Sequence, residues 1–285
     1  MIKVPHGYNL LRHGPSIIVI RKSYEECLLK QGISNPDSLI SSFRSKGNLH
    51  SGRGSVPSIP IEGSPGHRMV IRKYLRGGFL RFFNRDIYLG QHRPFKELSI
   101  AVEAAANGIP TPDILAAVSI KVSGPFYCGY LISKELKSSC DLPSYLTTIA
   151  QGRKETFLKE KRNVIKRVAS LIRLMHEKGF YHGDLNMKNI IVDTVNPHNI
   201  YIIDWDKSRY KERLKQSERG ANVLRFCRSM AKLSRSGLPL TYNDQLFFLE
   251  AYWDDKSRAR RDFQRLRMSL SVRSIIWRIS ENRQH

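Results

Sequence analysis

Hydrophobic positions follow two rhythms along this chain, and the change falls near Leu136. Before it, apolar residues come in short β-rich runs: Ser16 to Ile20, Met69 to Tyr74, Ile114 to Val122 and Tyr127 to Leu136. Runs of this length, rich in β-branched and aromatic residues and bounded by turn formers, predict strands. Gly77-Gly78 ends the second run, and Ser123-Gly124-Pro125 is the turn between the last two. Two helices interrupt them. A short one spans Tyr24 to Lys30. A longer one spans Phe95 to Asn107, with Leu98, Val102 and Ala105 on one face. Gly108 stops it, and Ile109-Pro110-Thr111-Pro112 cannot continue it. Residues 47–66, rich in Gly, Ser and Pro, read as loop.

Beyond Leu136 the period becomes helical. Phe157, Ile165, Val168, Leu171, Ile172 and Met175 predict a helix from Glu155 to Lys178, ended by Gly179. Two short apolar runs follow, Ile190-Ile191-Val192 and Tyr201-Ile202-Ile203. The residues between them, Asn196-Pro197-His198-Asn199, predict a hairpin. After Asp206 the chain is again helical and basic. The predicted class is α+β in two lobes, with a hinge near Glu135-Leu136-Lys137. Residues 1–136 form a β-rich lobe with one main helix, and residues 137–285 a mostly helical lobe.

Composition narrows the class. The 285 residues suffice for a large core. The four cysteines, Cys27, Cys128, Cys140 and Cys227, show neither C-x-x-C nor zinc spacing, so a reducing compartment is expected. No apolar run approaches the ~20 residues that span a bilayer. His6, Asn9, Arg12 and His13 interrupt any leader-like stretch at the N-terminus. A cytoplasmic protein is expected. The net charge of +23 predicts an anionic partner: nucleic acid, an acidic lipid surface or a phosphorylated substrate. No RNA- or DNA-binding motif stands out, so nucleic acid is the least favoured of the three.

The chemistry is concentrated between Tyr181 and Asp206. Asp184 and Asn189 stand five residues apart on a loop, and Asp204 follows Asp184 by twenty. This order is that of a protein-kinase-type phosphoryl-transfer site: a base, a metal-binding amide and a metal-binding carboxylate. A hairpin between Asn189 and Asp204 returns the chain to its start, so both can reach one Mg²⁺, a hard cation that takes oxygen ligands. Asp184 sits where it can accept a proton from an attacking hydroxyl. Such a site also needs a cation on the ATP phosphates, positioned by a helix glutamate. The strand offers Arg72 or Lys73, of which only one can point inward because strand side chains alternate. The favoured pair is Arg72 with Glu97. Gly52 and Gly54 of Gly52-Arg53-Gly54-Ser55 can form a turn over the phosphates. Asp206 stands where protein kinases have the glycine of D-F-G, and no A-P-E segment follows, which argues against a regulated protein kinase.

Several of these segments together resemble a particular group. They are Gly52-Arg53-Gly54, Val70 to Gly78, Asn84 to Leu89, Phe95-Lys96-Glu97, Gly108 to Pro112, His182 to Asn186, and Ile203 to Asp206. Asn222-Val223-Leu224-Arg225 with Arg228-Ser229 is similar to the helix that follows in the same group. The chain resembles the 3-deoxy-D-manno-octulosonic acid (Kdo) kinases of the lipopolysaccharide core kinase family. The resemblance implies a kinase-like fold, ATP as donor, and phosphorylation of position 4 of Kdo in the lipid A inner core. It places the reaction at the cytoplasmic face of the inner membrane. By the same match Asp184 is the base, Asn189 and Asp204 are metal ligands, and Arg72 and Glu97 position ATP. Two departures stand out: Trp205 replaces a frequent Phe, and Lys73 follows Arg72 where another residue is usual. The excess of cations agrees with an anionic, lipid-linked acceptor such as Kdo-lipid A and with docking on a membrane surface. Trp253 and Trp277 are candidates for that surface but fit a core equally well. Another acceptor (protein, heptose or small molecule) is the alternative.

Overall fold

A computed structural model describes residues 2–45, 50–51, 56–74, 87–90 and 92–281. Gly52, Gly54 and Gly77-Gly78 lie outside these residues. The chain divides into two compact units, residues 1–137 with 204–207, and residues 138–203 with 208–285.

The first unit is built on an antiparallel sheet. Its strands are β1 (Tyr8–His13), β2 (Ser16–Arg21), β3 (His50–Ser51), β4 (Pro57–Pro60), β5 (Arg68–Lys73), β6 (Tyr88–Leu89), β7 (Ile114–Ser123) and β8 (Phe126–Lys134). They run in the order β1-β2-β7-β8-β5-β4-β3, with β6 paired to β8. Three helices accompany them: α1 (Glu25–Lys30), α2 (Pro36–Ser45) and α3 (Arg93–Ala106). α2 was not anticipated, because only Leu39, Ile40 and Phe43 interrupt its polar residues. Those three join one core with Leu28 of α1, Met69 and Ile71 of β5, and Tyr130 and Ile132 of β8.

Burial of Met69 and Ile71 fixes the parity of β5. Lys73 shares their parity, and its Nζ meets Asp37 of α2 at 2.9 Å. Arg72 has the opposite parity and pairs with Glu97 of α3. The alternation thus decides between the two cations. α3 packs against β7 and β8 through Phe95, Leu98, Ala101 and Ala104. This corrects the face read from sequence: Ala105 is exposed and Val102 only half-buried, because the contact follows an i, i+3 row.

The second unit is mostly helical: α4 (Leu142–Ile149), α5 (Lys154–Glu177), α6 (Gln216–Arg235), α7 (Tyr242–Trp253) and α8 (Lys256–Glu281). α5 packs on α7, and α7 on α8. The predicted hairpin is present as β11 (Ile190–Asp193) and β12 (Ile200–Ile202), and β9 (Ser139–Asp141) adds a third antiparallel strand to β11. Asp193 closes the turn by accepting the N–H groups of Val195 and Asn196 at 2.9 and 3.0 Å. Gly179 ends α5 with φ +83, and a Cβ there would stand 1.8 Å from the Lys211 carbonyl oxygen. Only glycine fits a turn that is both left-handed and crowded. It leads into β10 (Phe180–Tyr181), which pairs with β13 (Arg209–Tyr210). Among the described residues no helix is long and apolar enough to cross a membrane.

Candidate active site

In the first unit, Arg72 is the centre of a charge cluster. It pairs with Glu97, and its Nη1 donates to Asp204 Oδ1 at 2.6 Å. Tyr74, two residues along β5, donates its hydroxyl to Glu97 Oε2. Burial raises the Glu97 pKa, and Arg72 pulls the other way. Burial also works against the Arg72 charge, but Glu97, Tyr74 and Asp204 more than offset it, so the guanidinium is held above its ordinary range. The predicted pair Arg72–Glu97 is therefore formed, and the structure adds Asp204 to it.

Asp204 has φ +65, in the left-handed region that a non-glycine residue rarely adopts. Such strain is held only where neighbours over-determine it, and it clusters at functional sites. Two neighbouring side chains do so. Trp205 is buried, and its Nε1 donates to Thr111 Oγ1 at 3.0 Å, which accounts for a tryptophan at this position. Asp206 receives the Arg93 guanidinium at 3.2 and 2.6 Å. Burial opposes the Asp206 charge, but the Arg93 pair prevails and holds its pKa below the usual range. Sequence reading noticed Asp206 but not its partner Arg93, nor Tyr74.

In the second unit, the loop that carries Asp184 and Asn189 is held from behind by buried side chains. His182 Nε2 lies 3.0 Å from the Ile203 carbonyl, an acceptor, so Nε2 carries the proton and Nδ1 accepts the Asp184 N–H at 3.2 Å. The Asp184 carbonyl accepts from Asn189 Nδ2 at 2.9 Å. That bond uses the nitrogen end of the Asn189 amide and leaves its oxygen as the end suited to a hard cation. Ile203 donates its N–H to the Asn189 carbonyl at 3.0 Å, so the hairpin returns to Asn189 one residue before Asp204. The Asp184 carboxylate is itself exposed, contacted by Arg225 and Asn186. Asn189 and Asp204 offer oxygen donors of the type Mg²⁺ takes. Among the described residues no three His, Cys, Asp or Glu cluster as a self-sufficient metal site.

Behind the loop, Asn222 of α6 donates Nδ2 to the His182 carbonyl at 2.8 Å. Its Oδ1 accepts from His176 Nε2 at 2.9 Å, so His176 Nδ1 accepts from the Tyr252 hydroxyl, 2.6 Å away. Folding needs His176 neutral, and burial pushes its pKa from 6.5 down to about 4. The unfolded chain takes up this proton near pH 6.5. Between the two values the unfolded state binds more protons. Stability should therefore fall as pH drops from 6.5 toward 4, by up to ~1.4 kcal/mol per unit from this group. Thermal melts across the window should show that decline. His176→Gln should be less stable at neutral pH but have a flatter profile, and an unchanged slope would contradict the assignment.

Fold and chemical groups together define a phosphotransferase with a protein-kinase-like fold. Residues 61–252 match the pattern of the lipopolysaccharide kinase (Kdo/WaaP) family, and the chain belongs to that family. It is 30% identical over 193 residues to the 3-deoxy-D-manno-octulosonic acid kinase of Actinobacillus succinogenes, covering 66% of this chain and 76% of that protein. The protein of the same name from Pasteurella multocida is 28% identical over 207 residues, covering 70% and 82%. Among solved structures, WaaP in complex with acyl carrier protein aligns over 93% of this chain and 98% of that one, at a TM-score of 0.54 and 15% identity, a likeness of fold. The protein is a kinase, a phosphotransferase that acts on a sugar hydroxyl.

Proposed function

We propose that the protein phosphorylates position 4 of a Kdo residue in the lipid A inner core, working as a peripheral protein at the cytoplasmic face of the inner membrane. One observation supports this above all. A chain 30% identical to a Kdo kinase carries Asp184 and Asn189 on one fastened loop, and separately Arg72 paired with Glu97 and Asp204, groups of the kind phosphoryl transfer uses. Asp184 takes the proton of the sugar hydroxyl as its oxygen bonds to the γ-phosphorus. The bond from that phosphorus to the β-phosphate oxygen breaks, and ADP leaves. Asn189 and Asp204 would hold Mg²⁺, whose charge offsets that of the phosphates. Arg72, aimed by Glu97 and Tyr74, would meet the nucleotide phosphates, exchanging Asp204 for them. The charge of +23 supports attraction to an anionic bilayer, each Lys or Arg near the surface adding ~1 kcal/mol. Trp253 does not add to that surface, because Arg258 stacks on its ring at 3.3 Å and its Nε1 donates to Asp262. The Trp277 side chain lies outside those described.

Glu97→Gln keeps the shape and removes the charge that aims Arg72. Charge-assisted hydrogen bonds of this kind correspond to about 10- to 100-fold, and the loss should appear mainly in KM for ATP. Equal KM values in steady-state kinetics would contradict the role. The acceptor is tested by mass spectrometry of lipopolysaccharide core from cells with and without the protein. A difference of one phosphate on Kdo is expected, and a phosphate difference on heptose instead would reassign the acceptor.

A further inference from the structure

α6 presents three polar side chains to the catalytic loop along one helix face: Asn222, Arg225 and Ser229. Two of them fasten backbone. Asn222 binds His182, and Ser229 Oγ accepts the Met187 N–H at 3.2 Å. Arg225, between them, is different. Its Nη1 donates to Asp184 Oδ1 at 3.3 Å, with side chains 45% and 58% exposed. An exposed ion pair of this kind adds little to stability, so folding does not account for its placement. A guanidinium stands beside the carboxylate that must take the proton, on the side open to solvent. Its planar fork suits both oxygens of a carboxylate at once, and Asp184 engages it through one long bond.

We infer that Arg225 determines specificity by binding the carboxylate of a sugar-acid acceptor, releasing Asp184 as it does so. This rests on the acceptor proposed above. The exchange does two things. It fixes the sugar beside the base, and it frees Asp184 Oδ1 to accept the hydroxyl proton. A neutral sugar cannot make the exchange, so the base stays engaged with Arg225 when such a sugar enters.

Steady-state transfer by the full chain tests this with three acceptors: Kdo-lipid A, the same lipid with its Kdo carboxylates amidated, and the same lipid without lipid A phosphates. Amidation should lower wild-type kcat/KM about 10- to 100-fold, with KM raised by the lost contact and kcat lowered by the base that stays engaged. Arg225→Gln should cost a similar factor on the native acceptor, and amidation should then cost it almost nothing more. Arg225→Lys, which keeps the charge without the fork, should fall between the two. Removing lipid A phosphates should leave the ratio of wild type to Arg225→Gln unchanged. If the two losses multiply, or if dephosphorylation rather than amidation cancels the effect of Arg225→Gln, the assignment is overturned. Failure of wild type on every Kdo-containing acceptor overturns the acceptor and this inference with it. Transfer by wild type with multiplying losses overturns Arg225 alone. Should Arg225→Gln melt below wild type, the same comparison is made with Arg225→Lys.

Discussion

Asp184→Ala is expected to lower kcat by about 10²- to 10⁴-fold, the usual contribution of a positioned general base, while the protein folds normally. Both halves follow from where Asp184 sits. Its backbone is fixed by His182 and Asn189, which alanine keeps. Its carboxylate is exposed, so removing it strands no buried partner: Arg225 and Asn186 can turn to water. An exposed substitution away from caps and core changes stability by ~0.5 kcal/mol or less. Asp184→Asn should lose as much activity, because the amide keeps the shape but cannot take the proton. Circular dichroism with turnover assays checks both claims. A variant that keeps a large part of its activity would remove Asp184 from the chemistry.

The largest loss of stability is expected at Asp244→Ala. Lys161 of α5 and Asp244 of α7 form an ion pair at 2.9 Å, with side chains only 6% and 9% exposed. Asp244 Oδ2 also accepts the backbone N–H and hydroxyl of Thr241, capping α7. Alanine leaves the Lys161 ammonium buried, with the Pro239 carbonyl at 3.4 Å and the Phe157 ring as its remaining partners. Breaking a buried pair on one side costs ~3–5 kcal/mol, which corresponds to a fall in Tm of roughly 10 °C. Replacing both partners, as Lys161→Met with Asp244→Leu, removes the stranded charge and should recover much of the loss. Equal melting of the single and double variants would contradict a buried-charge penalty.

What could be read from sequence was what lies close together in it. Asp184, Asn189 and Asp204 share a loop and a hairpin, so spacing alone ordered them. Arg72 could be preferred to Lys73 only as one of two parities, and burial of Met69 and Ile71 was needed to decide. The missed groups have distant partners. Arg93 meets Asp206 across 113 positions, and Asn222 and Arg225 meet the loop across 40 and 41. Arg225 was hidden in a segment rich in cations, where one arginine looks like another. The polar stripe Asn222–Arg225–Ser229 did carry a signal, since all three lie within the segments that resemble the helix of the family. A polar stripe ordinarily marks a solvated face, and this one instead covers a loop. The strain at Asp204 has no trace in sequence at all, because it is imposed by Trp205 and Asp206 binding to Thr111 and Arg93.

The most direct measurement is transfer of labelled γ-phosphate from ATP by the purified protein, with Kdo-lipid A, a heptose-extended core and a protein acceptor offered in parallel. Label is expected on Kdo, dependent on Mg²⁺ and lost in Asp184→Ala. Label on heptose or protein, with none on Kdo, would contradict the account.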